Sequence, residues 1–238
     1  MLKRRLDGAD ASASTAKRKP GGAISAPVDV KQPPKPTMLQ RGMVLIKAFL
    51  NETQQEQLIG EVLSLGQTGF FQCDNEKTRH MRMMHLGRST APPHKLLPLS
   101  IPLSWQQLAE DAVTAAAAAD TSLSNKHLRP ANVCVVNHYT SCSKLGWHQD
   151  MMTKRDCSIP VVSLSLGDSA TFHFKNSYSK KATERSVVLE SGDALVFGGQ
   201  SRGVVHSVTD IKPPQQPISW QRGSAALAGR FNVNLREL

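Results

Sequence analysis

Leu145-Gly146-Trp147-His148-Gln149-Asp150 places an imidazole and a carboxylate two residues apart. On an extended strand successive side chains point to opposite faces, so His148 and Asp150 would leave the backbone on the same side. A further histidine stands in Val204-Val205-His206-Ser207-Val208. Two histidines and one carboxylate form the facial ligand set of non-haem Fe(II), which leaves the other coordination positions open. The His-x-Asp pair alone is equally what an ordinary surface contact would show, so the decision falls on the rest of the chain.

The C-terminal stretch Arg230-Phe231-Asn232-Val233-Asn234-Leu235-Arg236 alternates an apolar face (Phe231, Val233, Leu235) with a polar one (Arg230, Asn232, Asn234, Arg236). An edge strand with one wetted face reads this way. So does a pocket wall that grips an anion, because guanidinium binds carboxylate through paired, charge-assisted hydrogen bonds. A second strand favours the pocket wall. In Val133-Cys134-Val135-Val136-Asn137-His138-Tyr139 the period of two sets Asn137 and Tyr139 on one face, and both can donate to a carboxylate.

Together these pieces, in the order Asn-x-Tyr, His-x-Asp, a distant His and Arg-x-Asn-x-x-x-Arg, resemble the AlkB-type Fe(II)/2-oxoglutarate dioxygenases. Pro160-Val161-Val162-Ser163-Leu164-Ser165-Leu166-Gly167, Leu189-Glu190-Ser191-Gly192-Asp193 and Phe197-Gly198-Gly199-Gln200-Ser201-Arg202 extend the similarity over roughly residues 131–238. A weaker match reaches back through Met83-Met84-His85-Leu86-Gly87-Arg88 to about residue 42. The resemblance implies that His148, Asp150 and His206 bind Fe(II), with 2-oxoglutarate and O2 at the remaining positions. It implies that Arg230, helped by Asn137, Tyr139 and Asn232, binds the far carboxylate of 2-oxoglutarate, and that Arg236 sits between cosubstrate and substrate. The implied activity is oxidative removal of alkyl groups from bases of DNA or RNA, with DNA repair among its uses.

Composition sets the outer limits. The chain has 238 residues, 39% of them hydrophobic, room for one sizeable domain and a tail. No apolar run approaches the ~20 residues that span a bilayer, and no charged start precedes an apolar segment, so neither a membrane partner nor a secretory signal is expected. Cys73, Cys134, Cys142 and Cys157 show no paired spacing and read as reduced thiols. Residues 1–41 hold nine Lys and Arg against three Asp, a net +6 of the chain's +10. This Pro/Ala/Ser-rich stretch is expected to be a disordered tail. Its clusters Lys3-Arg4-Arg5 and Lys17-Arg18-Lys19 read either as a two-part nuclear import signal, bound by an import receptor, or as a solvated basic tail. The expected location is nucleus, cytoplasm or both, and the expected state a monomer.

Between tail and core, residues 42–130 are expected to form an extension with helices and a nucleotide-recognition lid. Residues 43–49 are apolar enough for a first strand. Asn51 and Gln54 form a capping box, followed by Leu58, Ile59, Val62 and Leu63 at helical spacing. A second helix is expected from Ser104, answered by Gln107, through an alanine stretch whose side chains bury little. From residue 131 onward short β-branched segments alternate with Gly, Asp and Ser turns, the pattern of a sandwich or barrel. The expected fold is mainly β with flanking helices (α+β), a double-stranded β-helix or jelly roll, with Phe172, Phe174 and Phe197 in its inner walls. Phe70, Arg82, Met83 and Met152 are the candidates for substrate contact, and Arg79, Arg82 and Arg88 for phosphates. Met151-Met152-Thr153 stand where many relatives carry acidic residues, which leaves the base open. Three functions compete: a nucleic-acid demethylase, a dioxygenase acting on a protein or small molecule, and a non-catalytic nucleic-acid-binding module.

Overall fold

The computed structural model describes residues 35–73, 78, 80–91, 93–124, 130–150, 160–215, 218–221 and 228–237. The basic clusters, Met152, Arg79 and Cys157 lie outside these residues.

Among the described residues, twelve strands and two long helices are built in the order β1 (Thr37–Gln40), β2 (Met43–Ile46), α1 (Glu52–Gly69), β3 (Phe71–Cys73), β4 (Met81–Gly87), α2 (Leu103–Ala119), β5 (Val133–Tyr139), β6 (Leu145–His148), β7 (Val161–Gly167), β8 (Ser169–Lys175), β9 (Arg185–Leu189), β10 (Ala194–Phe197), β11 (Val205–Lys212) and β12 (Arg230–Arg236). They form an eight-stranded sheet, β1-β2-β10-β7-β12-β5-β4-β3, and a four-stranded sheet, β6-β11-β8-β9. Every paired register is antiparallel; β8 buries alternate residues, whereas β2, β7, β10 and β12, in the larger sheet, are buried along their whole length. This is the double-stranded β-helix expected from the sequence.

Two apolar layers hold it. One lies between the larger sheet and the helices, with Val136, Leu164, Phe231 and Val233 against Leu58, Val62, Trp105 and Val113. The other fills the space between the sheets, with Phe172, Phe174, Phe197, Leu189 and Leu195. Each such side chain contributes roughly 1.5–3 kcal/mol by leaving water.

The helix starts divide. Asn51 caps α1 through the expected box, its side chain accepting from the Gln54 backbone while Gln54 answers. Helix α2 instead begins after Pro102 with no side-chain cap, and the Ser104 hydroxyl and the Trp105 indole both donate to Glu61 on α1. Pro102 offers no side-chain acceptor, and the pull of Glu61 takes Ser104 away from capping. The alanines also bury more than expected: Ala112 and Ala116 are fully covered, because small side chains let α2 lie close on β2, β7 and β10.

Two boundaries read from the sequence shift. Strand β1 falls inside the stretch assigned to the tail, because Thr37, Met38 and Gln40 pair with β2. Strands β2 and β4, from the extension, pair with β10 and β5, so the extension and the core share one sheet.

Candidate active site

Antiparallel pairing assembles the metal-ligand candidates. His148 at the end of β6 lies opposite His206 near the start of β11, and their rings stand 4.1 Å apart at the centroids. Each of His148, Asp150 and His206 offers one ligand atom within 4.8 Å of the other two. Both histidines direct Nδ1 at a carbonyl oxygen two residues back, Gly146 at 2.8 Å and Val204 at 3.1 Å. A carbonyl only accepts, so Nδ1 carries the proton and Nε2 keeps its lone pair for a metal. Burial pushes the His206 imidazole down to about 4, with His148 adding to that and Asp150 opposing it, so the ring is neutral near pH 7. Phe172 stacks on His206 with centroids 5.2 Å apart, and Phe197 meets it edge-on.

Asp150 is buried and forms an ion pair with Arg236, Nη1 to Oδ1 at 2.8 Å. Burial alone would raise the carboxyl, but Arg236, His206, His148 and Arg202 hold it below the usual carboxylate range. Its second oxygen, Oδ2, is buried without a hydrogen-bond partner. Such an atom is costly unless something outside the protein binds it. A lone carboxylate oxygen beside two imidazole lone pairs is a donor set that fits a divalent metal.

Behind the histidines a small cavity of about 30 Å³ is lined by Tyr139, Ser163, Arg230, Asn232 and Asn234 on its polar side and by Leu189 and Phe197 on its apolar side. Arg230 is 1% exposed. Its guanidinium donates to Ser165 Oγ at 2.9 Å and to the Asp168 carbonyl at 3.4 Å, and Nε has no partner. Among the described residues no carboxylate pairs with it, and burial pulls its pKa down against the weaker pull of Tyr139, Asp193 and Asp168. A buried cation without a counter-ion is costly, and a guanidinium fits a carboxylate, so Arg230 is the candidate site for an anion. The start of β12 is set by Gly229 at φ +96, where a Cβ would meet the Tyr139 carbonyl oxygen at 2.2 Å. Only glycine allows Arg230 to begin the strand opposite Tyr139 and Gly167.

The other expected cosubstrate residues take different places. Tyr139 lines the cavity fully buried, its phenol pushed up by burial and so held as a donor. Asn137 lies across from Asn232 with Oδ1 buried and unpartnered. Asn232 lines the cavity, but its amide nitrogen donates to Ser163 Oγ and the Leu164 carbonyl, so it braces β7 and keeps no donor for a ligand. Arg236 is placed on Asp150 and Asn234, which makes it an anchor for a candidate metal ligand.

The expected substrate contacts separate by strand alternation. Met83 pairs with Asn137 and belongs to the layer between the sheets. Arg82 pairs with His138, on the helix side of the same sheet, with its guanidinium 5.0 Å from the Phe70 ring. Phe70 ends α1 and packs into the helix-side core. His138, left out of the site by its alternation, stacks on Phe231 at 4.2 Å on that side too. Phe70 and Arg82 therefore stand away from the candidate metal ligands.

Three contributors escaped the sequence reading. Ser163 and Ser165 hold Asn232 and Arg230, and the alternation of Val162-Ser163-Leu164-Ser165-Leu166 signals two hydroxyls on one face. His85 shares the Met83 face, across from Val135, with Nε2 buried and unpartnered and its ring edge-on to Phe71; no spacing rule marks it.

The chain matches the model of the 2OG-Fe(II) oxygenase superfamily over residues 42–236. It is 33% identical over 226 residues to DNA N(6)-methyladenine demethylase ALKBH1C of Arabidopsis thaliana, covering 84% of this chain and 49% of that protein. It is 31% identical over 138 residues to the Alpha-ketoglutarate-dependent dioxygenase AlkB of Escherichia coli strain K12, covering 58% of this chain and 56% of that one. The chain thus spans about half the length of the curated relatives it matches. The solved structure of OsALKBH1 superposes with a TM-score of 0.73 at 34% identity, covering 84% of this chain and all of that one. With these matches and the His148, Asp150 and His206 cluster, the chain belongs to the 2OG-Fe(II) oxygenase superfamily, as an AlkB-type member whose cofactors are Fe(II) and 2-oxoglutarate.

Proposed function

We propose that this chain removes N-methyl groups from bases of nucleic acid by 2-oxoglutarate-dependent oxidation. The observation that carries the reading is one cavity lined both by the buried Arg230 guanidinium and by His148 and His206, whose ligand atoms converge with that of Asp150. His148 and His206 would bind the metal through Nε2 and Asp150 through Oδ2. With Fe(II), 2-oxoglutarate and O2 bound, the cofactors supply an oxidation that hydroxylates the methyl carbon and turns 2-oxoglutarate into succinate and CO2, after which formaldehyde leaves. Arg230 would hold the far carboxylate with Tyr139 donating beside it. Phe172, Phe197 and Leu189 keep water from the histidines, and Arg236 fixes the rotamer of Asp150.

The names of the relatives support nucleic acid as substrate, and that of the Arabidopsis protein puts 6-methyladenine in DNA first. The chain would act as a monomer, in the nucleus if the basic clusters of residues 1–41 recruit an import receptor. The test is mass spectrometry of oligonucleotides carrying 6-methyladenine, 1-methyladenine or 3-methylcytosine, in DNA and RNA, incubated with Fe(II), 2-oxoglutarate and protein. Loss of 14 mass units from one base (about one CH2) is expected, and none with His148→Ala. Turnover of 2-oxoglutarate that no oligonucleotide stimulates would instead favour a protein or small-molecule substrate.

A further inference from the structure

The smaller sheet carries charge and aromatic surface that the metal site does not use. His148, Phe172, Phe174 and His206 face inward, and so does Leu145, because the register of β6 on β11 shifts between His148 and Leu145; Trp147, His173 and Lys175 are left on the outer face. The Lys175 ammonium lies 4.2 Å from the centroid of the Trp147 ring, and His173 meets that ring at 6.3 Å. His148 pairs with His206 and Lys175 with Val205. The cluster therefore sits at the same end of the sheet as the candidate metal ligands, one residue from His148 on the opposite face.

The hairpin between β8 and β9 leaves that end of the sheet. It presents Tyr178, 57% exposed, together with exposed Lys180 and Lys181. Among the described residues Lys175, Lys180 and Lys181 form no ion pair, and the hairpin's one carboxylate, Glu184, faces His173 at 3.0 Å. A base must leave its stack to reach a buried site, so the strand on either side of it has to be held at the rim. Exposed lysines interleaved with an exposed aromatic ring form the surface on which single-stranded nucleic acid binds: phosphates on the cations, a base on the ring.

We propose that this rim binds the strand flanking the reacting base, with Lys175, Lys180 and Lys181 on phosphates, Trp147 holding Lys175 in place, and Tyr178 stacking on a neighbouring base. The inference rests on the nucleic-acid reading above.

The test uses the full chain with Mn(II) and 2-oxoglutarate and a labelled single-stranded oligonucleotide, titrated by anisotropy across salt concentrations. Removing one lysine–phosphate pair flattens the slope of log K against log salt by about 0.7, so the Lys175→Ala/Lys180→Ala/Lys181→Ala variant should be about 2 shallower than wild type. Tyr178→Ala should weaken binding roughly five- to a hundredfold at every salt concentration. The basic clusters of residues 1–41 contribute equally to both proteins and cancel in the difference. Trp105 is fully buried and Trp220 nearly so, so oligonucleotide should change an emission component that Trp147→Phe removes. Equal salt slopes in wild type and triple variant overturn the rim and leave the nucleic-acid reading standing. Failure of the wild type to bind any oligonucleotide at low salt overturns both.

Discussion

Replacing Arg230 with methionine separates a cosubstrate role from a structural one, because only the structural role predicts a large loss of ligand-free stability. The guanidinium is 1% exposed, donates to Ser165 and the Asp168 carbonyl, and has no counter-ion among the described residues. Removing a buried ion in favour of an apolar side chain of similar length is neutral or stabilising by about 1–4 kcal/mol. Losing its hydrogen bonds costs about 1 kcal/mol each. The ligand-free protein should therefore change by no more than about 2 kcal/mol in either direction. Binding behaves differently. A charge-assisted contact is worth about 1.5–3 kcal/mol, so 2-oxoglutarate affinity should fall roughly ten- to a hundredfold.

Thermal unfolding with Mn(II) and 2-oxoglutarate reads both effects. At a ligand concentration of about 100 Kd the wild type gains about 2.7 kcal/mol, and at a hundredfold weaker Kd the same concentration gives about 0.4 kcal/mol. For a domain of this size that is a shift of about 5–11 °C against about 1 °C. An undiminished ligand-induced shift in Arg230→Met would refute the anion site. A ligand-free loss well beyond 3 kcal/mol would show that Arg230 is held for the fold.

Asp150→Asn keeps the shape and removes the charge, so Mn(II) affinity measured by calorimetry should fall at least tenfold; unchanged affinity would remove Asp150 from the ligand set. Arg236→Met uncovers the buried Asp150 carboxylate and should cost about 3–5 kcal/mol in urea unfolding, with most of that loss cancelled in an Asp150→Asn background. Gly229→Ala forces a Cβ toward the Tyr139 carbonyl and should destabilise by about 1–3 kcal/mol while weakening 2-oxoglutarate binding, since Arg230 follows it. The depressed His206 pKa makes the unfolded chain bind the extra proton first. The metal-free protein should therefore lose stability as pH falls from about 6.5 towards about 4, by roughly 3 kcal/mol, and His206→Gln should flatten that slope.

Period-two alternation was readable wherever one face of a strand is buried. It paired His148 with Asp150, set Asn137 beside Tyr139, moved His138 away from them, and marked Phe172 and Phe174 as inner-wall residues. The capping box at Asn51 was equally local. What escaped depended on partners far along the chain. Ser104 looked like a cap until Glu61, 43 residues earlier, claimed its hydroxyl. Arg82 looked like a phosphate contact until β4 aligned with β5 and put it on the helix side. Asn232 looked like a ligand donor until Ser163 Oγ and the Leu164 carbonyl took its amide hydrogens.

The order of residue types along the chain was enough to identify the family, and through that resemblance the metal ligands and the candidate anion-binding strand to test, because the strand motifs that carry it are short even where, as with His206, they lie far apart. Only the tertiary structure decided how those groups divide the work. Sheet register brought Arg236 onto Asp150, left Arg230 without a counter-ion among the described residues, and gathered one ligand atom each from His148, Asp150 and His206 within 4.8 Å of one another. Those outcomes depend on which strands become neighbours, a matter of long-range packing that spacing within a strand does not encode.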